Sequence, residues 1–252
     1  MTGRVALVTG AGRGIGRATA MALADADERV MAVARTQDEL QSLAREAPVE
    51  FLVGTVATQD GCERIIEETR ERLGPISILV SNAGMGSYHE RPIWEQDPEI
   101  WRGSLAVNLD AAFHLMRLAV PDMTAAGWGR IVVVSSTSGQ VGGPAISAYT
   151  AAKHGVIGLM RSVAQDVIPF GVTCNAVLPG WVRTAMADAD VAVEAERTDR
   201  TPEEVWESHA REYAAGRVLR PEEIAAVVAF LASDAASGVN GEAITVALGG
   251  LW

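Results

Sequence analysis

The alternation of short β-branched runs with longer amphipathic segments restricts the fold of this chain more than any other feature. Apolar residues recur at helical spacing in the intervening segments, for example in residues 157–167 and 224–231. A repeated order of strand, helix and strand indicates parallel strands connected by crossover helices. The strand runs are almost continuously apolar, so we expect helices to cover both faces of the sheet. The predicted strands comprise residues 5–8, 30–34, 50–55, 76–81, 130–135, 172–177 and 243–246.

No linker, repeat or low-complexity stretch divides the 252 residues, so we expect one α/β domain with a doubly wound sheet across residues 1–252. The net charge of −11 argues against a nucleic-acid partner, because phosphate backbones require basic surface. No apolar run approaches the roughly 18 residues of a membrane span, and the first run is too short for a signal peptide. Cys62 and Cys174 lack metal-ligand spacing, which favours reduced thiols and a cytoplasmic location.

Residues 185–216 interrupt the alternation with nine acidic and three basic residues and no predicted strand. In a doubly wound sheet this segment follows the sixth strand, at the edge where ligands bind. A polar excursion of this length is either a disordered loop or a mobile helical lid. We favour a mobile substrate lid at about residues 185–216.

A glycine-rich turn connects the first predicted strand to the first helix. It reads Thr9-Gly10-Ala11-Gly12-Arg13-Gly14-Ile15-Gly16. Glycines permit a tight turn, and backbone N–H groups at a helix N-terminus bind a pyrophosphate. The spacing is GxxxGxG rather than GxGxxG, and such a turn alone is weak evidence. Its position at the opening of a βαβ unit predicts a dinucleotide site.

The end of the second predicted strand indicates which dinucleotide binds. It reads Ala34-Arg35-Thr36, where NAD-binding proteins usually carry an acid. Arg35 can pair with a 2′-phosphate, which an acid would repel, and Arg13 is a second candidate cation. The alternative is that both are surface arginines, since 20 of the 21 Lys and Arg residues are Arg. The sequence favours NADP(H).

Ser136, Tyr149 and Lys153 form the strongest candidate catalytic set, and Lys153 is the single lysine of the chain. Tyr149 and Lys153 are four residues apart and share one helix face. A phenol with a pKa of about 10 is a poor acid or base at neutral pH. We expect the ammonium of Lys153 to lower the pKa of Tyr149, so that it exchanges a proton with an alcohol or ketone. The alternative, a surface Tyr–Lys pair, is opposed by the position of the lone lysine.

Together these motifs resemble the short-chain dehydrogenase/reductase family over essentially the whole chain. The matching residues follow the family order and spacing: the turn from Thr9 to Gly16, Asn82-Ala83-Gly84, Asn108, Ser136, Tyr149-x-x-x-Lys153 and Pro179-Gly180. The resemblance implies a single-domain Rossmann fold with a seven-stranded parallel sheet. It also implies a homotetramer or homodimer.

The resemblance further implies a role for each matching residue. Tyr149 would be the acid/base, Lys153 would lower its pKa and hold the nicotinamide ribose, and Ser136 would orient the substrate. Asn108 would hold a water that links Lys153 to solvent. The implied catalytic residues are Asn108, Ser136, Tyr149 and Lys153. The implied cofactor-binding residues are Gly10, Arg13, Gly14, Ile15, Gly16, Arg35, Val56, Asn82, Ala83, Gly84, Tyr149, Lys153, Pro179, Gly180, Val182 and Thr184.

Several positions depart from the family or restrict the substrate. Thr55-Val56 stand where members often hold adenine with Asp, and Ser81 replaces a more frequent Asn.

Reductases of acyl-carrier-protein substrates tend to have arginines where this chain has Gly127 and Phe170. Hydroxybutyrate dehydrogenases hold a carboxylate at places occupied here by Gly86, Ser138 and Ile146. The remaining pocket wall, expected from Met85, His89, Val141, Trp181 and Met186, suits a neutral, fairly apolar ketone or secondary alcohol.

The sequence therefore predicts an NADP(H)-dependent ketoreductase acting on a small-molecule ketone or secondary alcohol. The enzymatic alternative is a reductase of 3-oxoacyl or polyketide thioesters. A catalytically silent NADP-binding sensor is a rival from another class, which the complete Ser–Tyr–Lys set opposes. An extended sugar-nucleotide epimerase would need a larger C-terminal domain. The terminal Trp252 is expected to pack at a subunit interface or beside a neighbour's pocket.

Overall fold

The computed structural model describes residues 3–87 and 89–250, which fold around a seven-stranded sheet. Its strands are β1 (Val5–Thr9), β2 (Arg29–Ala34), β3 (Val49–Val53), β4 (Ile76–Ser81), β5 (Gly129–Val134), β6 (Val172–Pro179) and β7 (Ala243–Val246). They lie in the order β3-β2-β1-β4-β5-β6-β7, and every neighbouring pair is parallel. This arrangement confirms the predicted fold class.

All seven predicted strands overlap observed ones, and the differences lie at their ends. β6 continues two residues beyond its predicted end, because residues 176–179 pair with β7. β3 ends at Val53, two residues early, because it is an edge strand whose neighbour β2 ends at Ala34. The extent of pairing, which depends on the partner strand, therefore decides where each strand ends.

Helices connect the strands and cover the sheet. They are α1 (Gly14–Asp25), α2 (Gln37–Glu46), α3 (Gln59–Leu73), α4 (Pro98–Leu105), α5 (Ala111–Ala126), α6 (Ser147–Val167), α7 (Ala185–Thr198), α8 (Pro202–Arg211) and α9 (Pro221–Leu231). A π-helical turn, Ala106–Asp110, joins α4 to α5. The predicted helical segments fall within α6 and α9.

The sheet has a buried core on each face. Val5 and Leu7 of β1 pack into one core together with residues of α3, α5 and α6. Ala6 and Val8 point to the other face and pack with residues of α1, α2 and α9. Because successive strand side chains alternate between faces, burial of both faces accounts for the continuous apolar strand runs.

The strand order reverses beside β1, which pairs with β2 on one side and with β4 on the other. The loops after β1 and β4 therefore diverge and leave a crevice, the usual ligand-binding position in a doubly wound sheet. Gly10 follows β1 and Asn82 follows β4. The Asn82 side chain spans the two loops, since Nδ2 donates to the carbonyl oxygens of Thr9 at 2.9 Å and Gly10 at 3.3 Å.

Residues 185–216 are largely helical, since α7 and α8 occupy most of the segment. The two helices pack through a small apolar cluster that includes Val191, Val205 and Trp206. Thr201 caps α8, and Glu204 accepts a hydrogen bond from the Thr201 backbone N–H in return. The segment is therefore helical rather than a disordered loop, and its action as a mobile lid stays a prediction.

Three smaller predictions concern the membrane, the cysteines and the C-terminus. No helix within residues 3–87 and 89–250 is long and apolar enough to cross a membrane. Cys62 and Cys174 are unbridged and buried, and burial raises the pKa of the Cys62 thiol to about 11. The predicted packing of Trp252 lies outside the described residues.

A buried amide joins β6 to the loop before β7 and provides a test of the fold. Asn175 is fully buried; its Nδ2 donates to Val239 O at 2.8 Å, and its Oδ1 accepts from Glu242 N at 3.1 Å. We expect Asn175→Ala to lower the free energy of unfolding by about 1–3 kcal/mol, because both backbone groups lose their partner. Urea denaturation measures the change. Ser237→Ala, on the exposed part of the same connection, is the control and should stay within about 0.5 kcal/mol of the native chain; equal stability of both variants would contradict the prediction.

Candidate active site

A cavity of about 980 Å³ opens at the carboxyl ends of the central strands. Every residue predicted to bind cofactor or to act in catalysis lines it, although these residues are spread over 175 positions of sequence. The lining includes Gly10, Arg13, Gly14, Ile15, Gly16, Arg35, Val56, Asn82, Ala83, Gly84, Asn108, Ser136, Tyr149, Lys153, Pro179, Gly180, Val182 and Thr184. The fold thus assembles the predicted set into one cleft.

The glycine-rich turn forms one end of this cavity. Gly10 and Gly14 have φ angles of +67° and +56°, which side chains other than glycine rarely adopt. A Cβ on Gly16 would lie 2.2 Å from Gly10 O, so this position also requires glycine. Helix α1 begins at Gly14 without a side-chain cap and with no acid in its first turn. Its first backbone N–H groups can donate hydrogen bonds to a diphosphate, and because the turn consists mainly of glycines the diphosphate can come close to the backbone.

Asn82 and Ala83 brace the glycine turn from the neighbouring strand. The backbone N–H groups of both donate to Thr9 Oγ1 at 3.1 Å, in addition to the bonds of the Asn82 side chain. The amide of Asn82 is therefore occupied by protein partners. Asn82 shapes the cofactor end of the cavity by holding Thr9 and Gly10 in place.

Two arginines and one acid stand where the adenosine part of a dinucleotide would lie. Arg35 is exposed, lines the cavity, and has no ion pair among the described residues. Arg13 Nη1 lies 3.6 Å from Glu39 Oε1, so its charge is partly offset. The sequence argument did not identify Glu39, which reaches the cavity from the first turn of α2. Arg35 is consequently the principal cation available to a 2′-phosphate.

Ser136, Tyr149 and Lys153 line the cavity together, where the end of β5 faces the first turns of α6, and the Tyr149 hydroxyl is hydrogen-bonded to Ser136. Lys153 is 4% exposed, and its Nζ donates to Val134 O at 3.0 Å. The same Nζ lies 5.5 Å from the centre of the Tyr149 ring. Ser135, next to Ser136, donates from Oγ to Lys153 O at 3.1 Å. These bonds fix α6 against the end of β5 and so set the spacing of the three side chains.

The pKa of Tyr149 moves in the opposite direction to the sequence prediction. Burial of the phenol raises its pKa to about 12, and a hydrogen bond with Ser136 opposes that rise. The carboxylates of Asp190 and Glu90 raise the pKa further. Burial is the largest effect on this pKa, and the Nζ of Lys153 donates its hydrogen bond to Val134 O. The structure therefore keeps Tyr149 protonated at neutral pH, as a proton donor requires.

Asn108 lies in the π-helical turn between α4 and α5, and its side chain is bonded within the protein. Its Oδ1 accepts from Met85 N at 3.1 Å, and its Nδ2 donates to Met85 O at 3.1 Å and to Ser104 Oγ at 3.2 Å. These bonds fix the loop after β4. The predicted role of Asn108 in holding a water stays a prediction.

The segment after β6 forms the opposite wall of the cofactor end. Gly180 N donates to Val246 O at 3.0 Å, and Trp181 N donates to the hydroxyl of Tyr213 at 2.6 Å. A Cβ on Gly180 would lie 2.4 Å from that hydroxyl, which explains glycine at this position. Thr184 caps α7 and faces Gly14 across the cleft, where a Cβ on Gly14 would lie 3.1 Å from Thr184 Cγ2.

The substrate end of the cavity contains the predicted wall residues. Met85, His89, Val141, Trp181 and Met186 all line the cavity. Trp181 stacks on His209 of α8 with ring centres 4.0 Å apart and contacts Trp206 edge to face. Helix α8 thereby supports one wall of the pocket.

Glu90 is the most prominent site residue that the sequence argument missed. Its side chain is buried and lines the cavity, and its carboxylate accepts hydrogen bonds from Ala148 N and Tyr149 N, both at 2.8 Å. No local pattern marks this residue, since its partners lie 58 and 59 positions later in the chain.

Comparison with known proteins gives the same family throughout. A family model described as enoyl-(acyl carrier protein) reductase matches residues 10–250. D-beta-hydroxybutyrate dehydrogenase of Cupriavidus necator is 34% identical, over 96% of this chain and 95% of that protein. The 3-oxoacyl-(acyl-carrier-protein) reductase FabG of Thermotoga maritima is 34% identical, over 98% and 97%. A variant of actinorhodin polyketide ketoreductase, solved with NADPH, superposes with a TM-score of 0.94 at 31% identity, covering 98% of this chain and 97% of that one.

The chain belongs to the short-chain dehydrogenase/reductase family. This membership confirms the predicted recognition, the Rossmann-like fold and the assignment to the oxidoreductases. The relatives act on hydroxyl and keto groups. The sheet, the glycine turn and the Ser–Tyr–Lys cluster are therefore those of an enzyme that interconverts these groups.

The buried ammonium of Lys153 gives a pH-dependent prediction. Burial lowers the pKa of Lys153 to about 8 from its ordinary value of 10.5. The unfolded chain therefore binds more protons between these values, so burial of the charged amine destabilises the fold below pH 8, and this cost disappears as pH rises towards 10.5. We expect native stability relative to Lys153→Met to increase by about 2–3 kcal/mol between pH 7 and pH 10. Urea denaturation of both proteins at both pH values measures this, and a constant difference would show that Lys153 is not destabilised by burial.

Proposed function

We propose that the protein is an NADP(H)-dependent ketoreductase that converts a neutral, largely apolar ketone into a secondary alcohol, reversibly. The observation that carries this proposal is the cluster of Ser136, Tyr149 and Lys153 in the same cavity as the glycine turn. The protonated phenol supports the reductive direction at neutral pH.

In this mechanism NADPH supplies a hydride to the carbonyl carbon when it is bound. Ser136 holds the carbonyl oxygen by donating a hydrogen bond, and Tyr149 gives its proton to that oxygen as the alcohol forms. Tyr149 recovers a proton from solvent after the alcohol leaves. Lys153 contributes a cation when protonated, which would stabilise negative charge on the Tyr149 oxygen during the transfer.

The preference for NADP(H) rests on charge at the adenosine end. Arg35 lacks an ion-pair partner among the described residues, and Glu39 compensates Arg13 alone. A guanidinium pairs with a phosphate through two parallel hydrogen bonds, and a ribose hydroxyl gains much less from it. The NADPH in the actinorhodin ketoreductase structure supports the same cofactor.

The charge of the substrate end supports a neutral substrate. Four acids line that half of the cavity or its rim, Glu90, Asp190, Glu194 and Glu212, against the cations Arg197 and Lys153, and Glu194 is paired with Arg200 at 2.7 Å. An anionic carboxylate or phosphate entering this region would meet net repulsion. The apolar wall formed by Met85, Val141, Trp181 and Met186 adds affinity for hydrocarbon groups.

A reductase of 3-oxoacyl thioesters is the second candidate. It is supported by the 34% identity to the FabG protein and by the description of the matching family model. Gly127 and the exposed Phe170 provide no cation for an acidic carrier protein. Turnover of an acetoacetyl thioester in preference to free ketones would favour this candidate.

The proposal also covers the lid, the oligomeric state and the cellular location. Helices α7 and α8 act as a mobile lid over the substrate end, which α7 lines with Met186 and Asp190 and which Glu212, directly after α8, also lines. The enzyme is a homotetramer or homodimer, since Phe113, Phe170 and Phe230 leave apolar surface exposed. It is cytoplasmic, because its two cysteines are unbridged.

The acid role of Tyr149 predicts a specific loss. Tyr149→Phe removes the transferable proton and keeps the ring packing, so NADPH binding should persist while ketone reduction falls by about 10²-fold or more. Fluorescence titration with NADPH and initial rates with a saturating ketone measure the two properties. Substantial residual turnover would end the acid assignment.

The cofactor preference predicts a selective effect at Arg35. Arg35→Asp should weaken NADPH binding by about tenfold or more, because an acid repels the 2′-phosphate, while NADH binding should be spared. Titration with both dinucleotides measures the ratio. Arg45→Asp, an exposed site later on the same helical connection, is the matched control. Equal weakening of both cofactors at Arg35 would show that this residue supports the fold instead.

A further inference from the structure

Glu90 is a buried acid at the substrate end whose position the catalytic set does not explain. It lies in the loop between β4 and α4, is 5% exposed and lines the cavity. One carboxylate oxygen accepts from Ala148 N and the other from Tyr149 N, each at 2.8 Å. One of the two N–H groups bonded to Glu90 thus belongs to Tyr149, the residue that donates the proton in the reaction.

Helix α6 has no local substitute for these bonds. Its N-cap residue, Ile146, makes no side-chain cap, and no acid lies in its first turn. The first N–H groups of a helix need acceptors, and a carboxylate is the most favourable one because it also meets the positive end of the helix dipole. Glu90 therefore caps the catalytic helix from a distant part of the chain.

The same loop is also bonded to the lid. Ser87 donates from both its backbone N and its Oγ to Asp190 Oδ1 of α7, at 3.1 and 3.0 Å. The loop consequently connects α7, through Ser87, to the first turn of α6, through Glu90.

The charges around Glu90 act on Tyr149 in one direction. Burial raises the pKa of Glu90, the two backbone hydrogen bonds lower it, and Asp190 of α7 raises it. The negative charges of Glu90 and Asp190 both raise the pKa of Tyr149, against the hydrogen bond with Ser136. The cation nearest to the Tyr149 ring in α6 is Lys153, whose Nζ lies 5.5 Å from the ring centre. In the loop itself, Arg91 Nη1 donates to Glu90 O, and His89 precedes Glu90.

We propose that Glu90 is a positioning residue for the reaction. Its carboxylate holds the Tyr149 backbone in the orientation that aims the phenol at the substrate oxygen, and its negative charge opposes ionisation of the phenol. The proposal rests on the proposed ketoreductase function and names a determinant of that same site.

Two substitutions separate the effects of geometry and charge. Glu90→Gln removes the charge and leaves one acceptor oxygen, so kcat for ketone reduction should fall about tenfold. The limb of the alcohol-oxidation pH profile that reports Tyr149 should move to lower pH. Glu90→Asp keeps the charge on a side chain too short to reach both N–H groups, so kcat should fall while the limb stays in place. KM for NADPH should not change in either variant.

Glu95→Gln is the matched control, since Glu95 is exposed in the same loop and its carboxylate accepts a hydrogen bond from the neighbouring Trp94 Nε1 at 3.0 Å. It should leave kcat and the pH profile unchanged. If Glu90→Gln lowers the melting temperature but alters neither kcat nor the pH profile, Glu90 is a structural cap and the proposal fails.

A spectroscopic readout keeps this test separate from the proposed function. The phenolate of Tyr149 is followed by ultraviolet titration as the difference between each protein and its Tyr149→Phe counterpart. The proposal requires Glu90→Gln to shift this titration to lower pH, and an unchanged titration would overturn it. If the native protein reduces no ketone with NADPH, the ketoreductase function fails, whereas the titration still decides whether Glu90 controls Tyr149.

Discussion

The parallel pairing of the seven strands is the constraint on which the rest of this structure depends. Because all strands point the same way, β1, β4, β5 and β6 end at one edge of the sheet. The glycine turn, the loop of Asn82, Ser136 and the Pro179-Gly180 segment each follow one of these strands. Residues from four separate parts of the sequence thus enclose one cavity, and burial of both sheet faces keeps that edge rigid.

Within the cavity, buried polar groups determine the chemistry because each needs a partner. Lys153 donates to Val134 O, Asn108 bonds to the Met85 backbone, and Glu90 accepts from the Tyr149 backbone. With these partners assigned, Tyr149 is left with Ser136 and with nearby negative charge. Its phenol holds a proton at neutral pH and can therefore donate it to a substrate oxygen.

The sequence predicted the elements and the catalytic set because these depend on local patterns. Apolar runs located all seven strands, and helical spacing placed Tyr149 and Lys153 on one face of α6. It missed Glu90 and Glu39 because their bonds depend on tertiary contact. The predicted direction of the Tyr149 pKa was wrong for a related reason: residue types show that an ammonium is near, but not that burial outweighs it and that the amine faces a carbonyl oxygen.

The most direct test of the account is the oxidation of NADPH and NADH by the native enzyme with a panel of ketones. The panel contains apolar cyclic and linear ketones, matched keto acids and an acetoacetyl thioester. The account predicts turnover of neutral apolar ketones with NADPH, with much lower rates for keto acids and with NADH. Efficient turnover of the keto acids or of the thioester alone would contradict the assignment of the pocket.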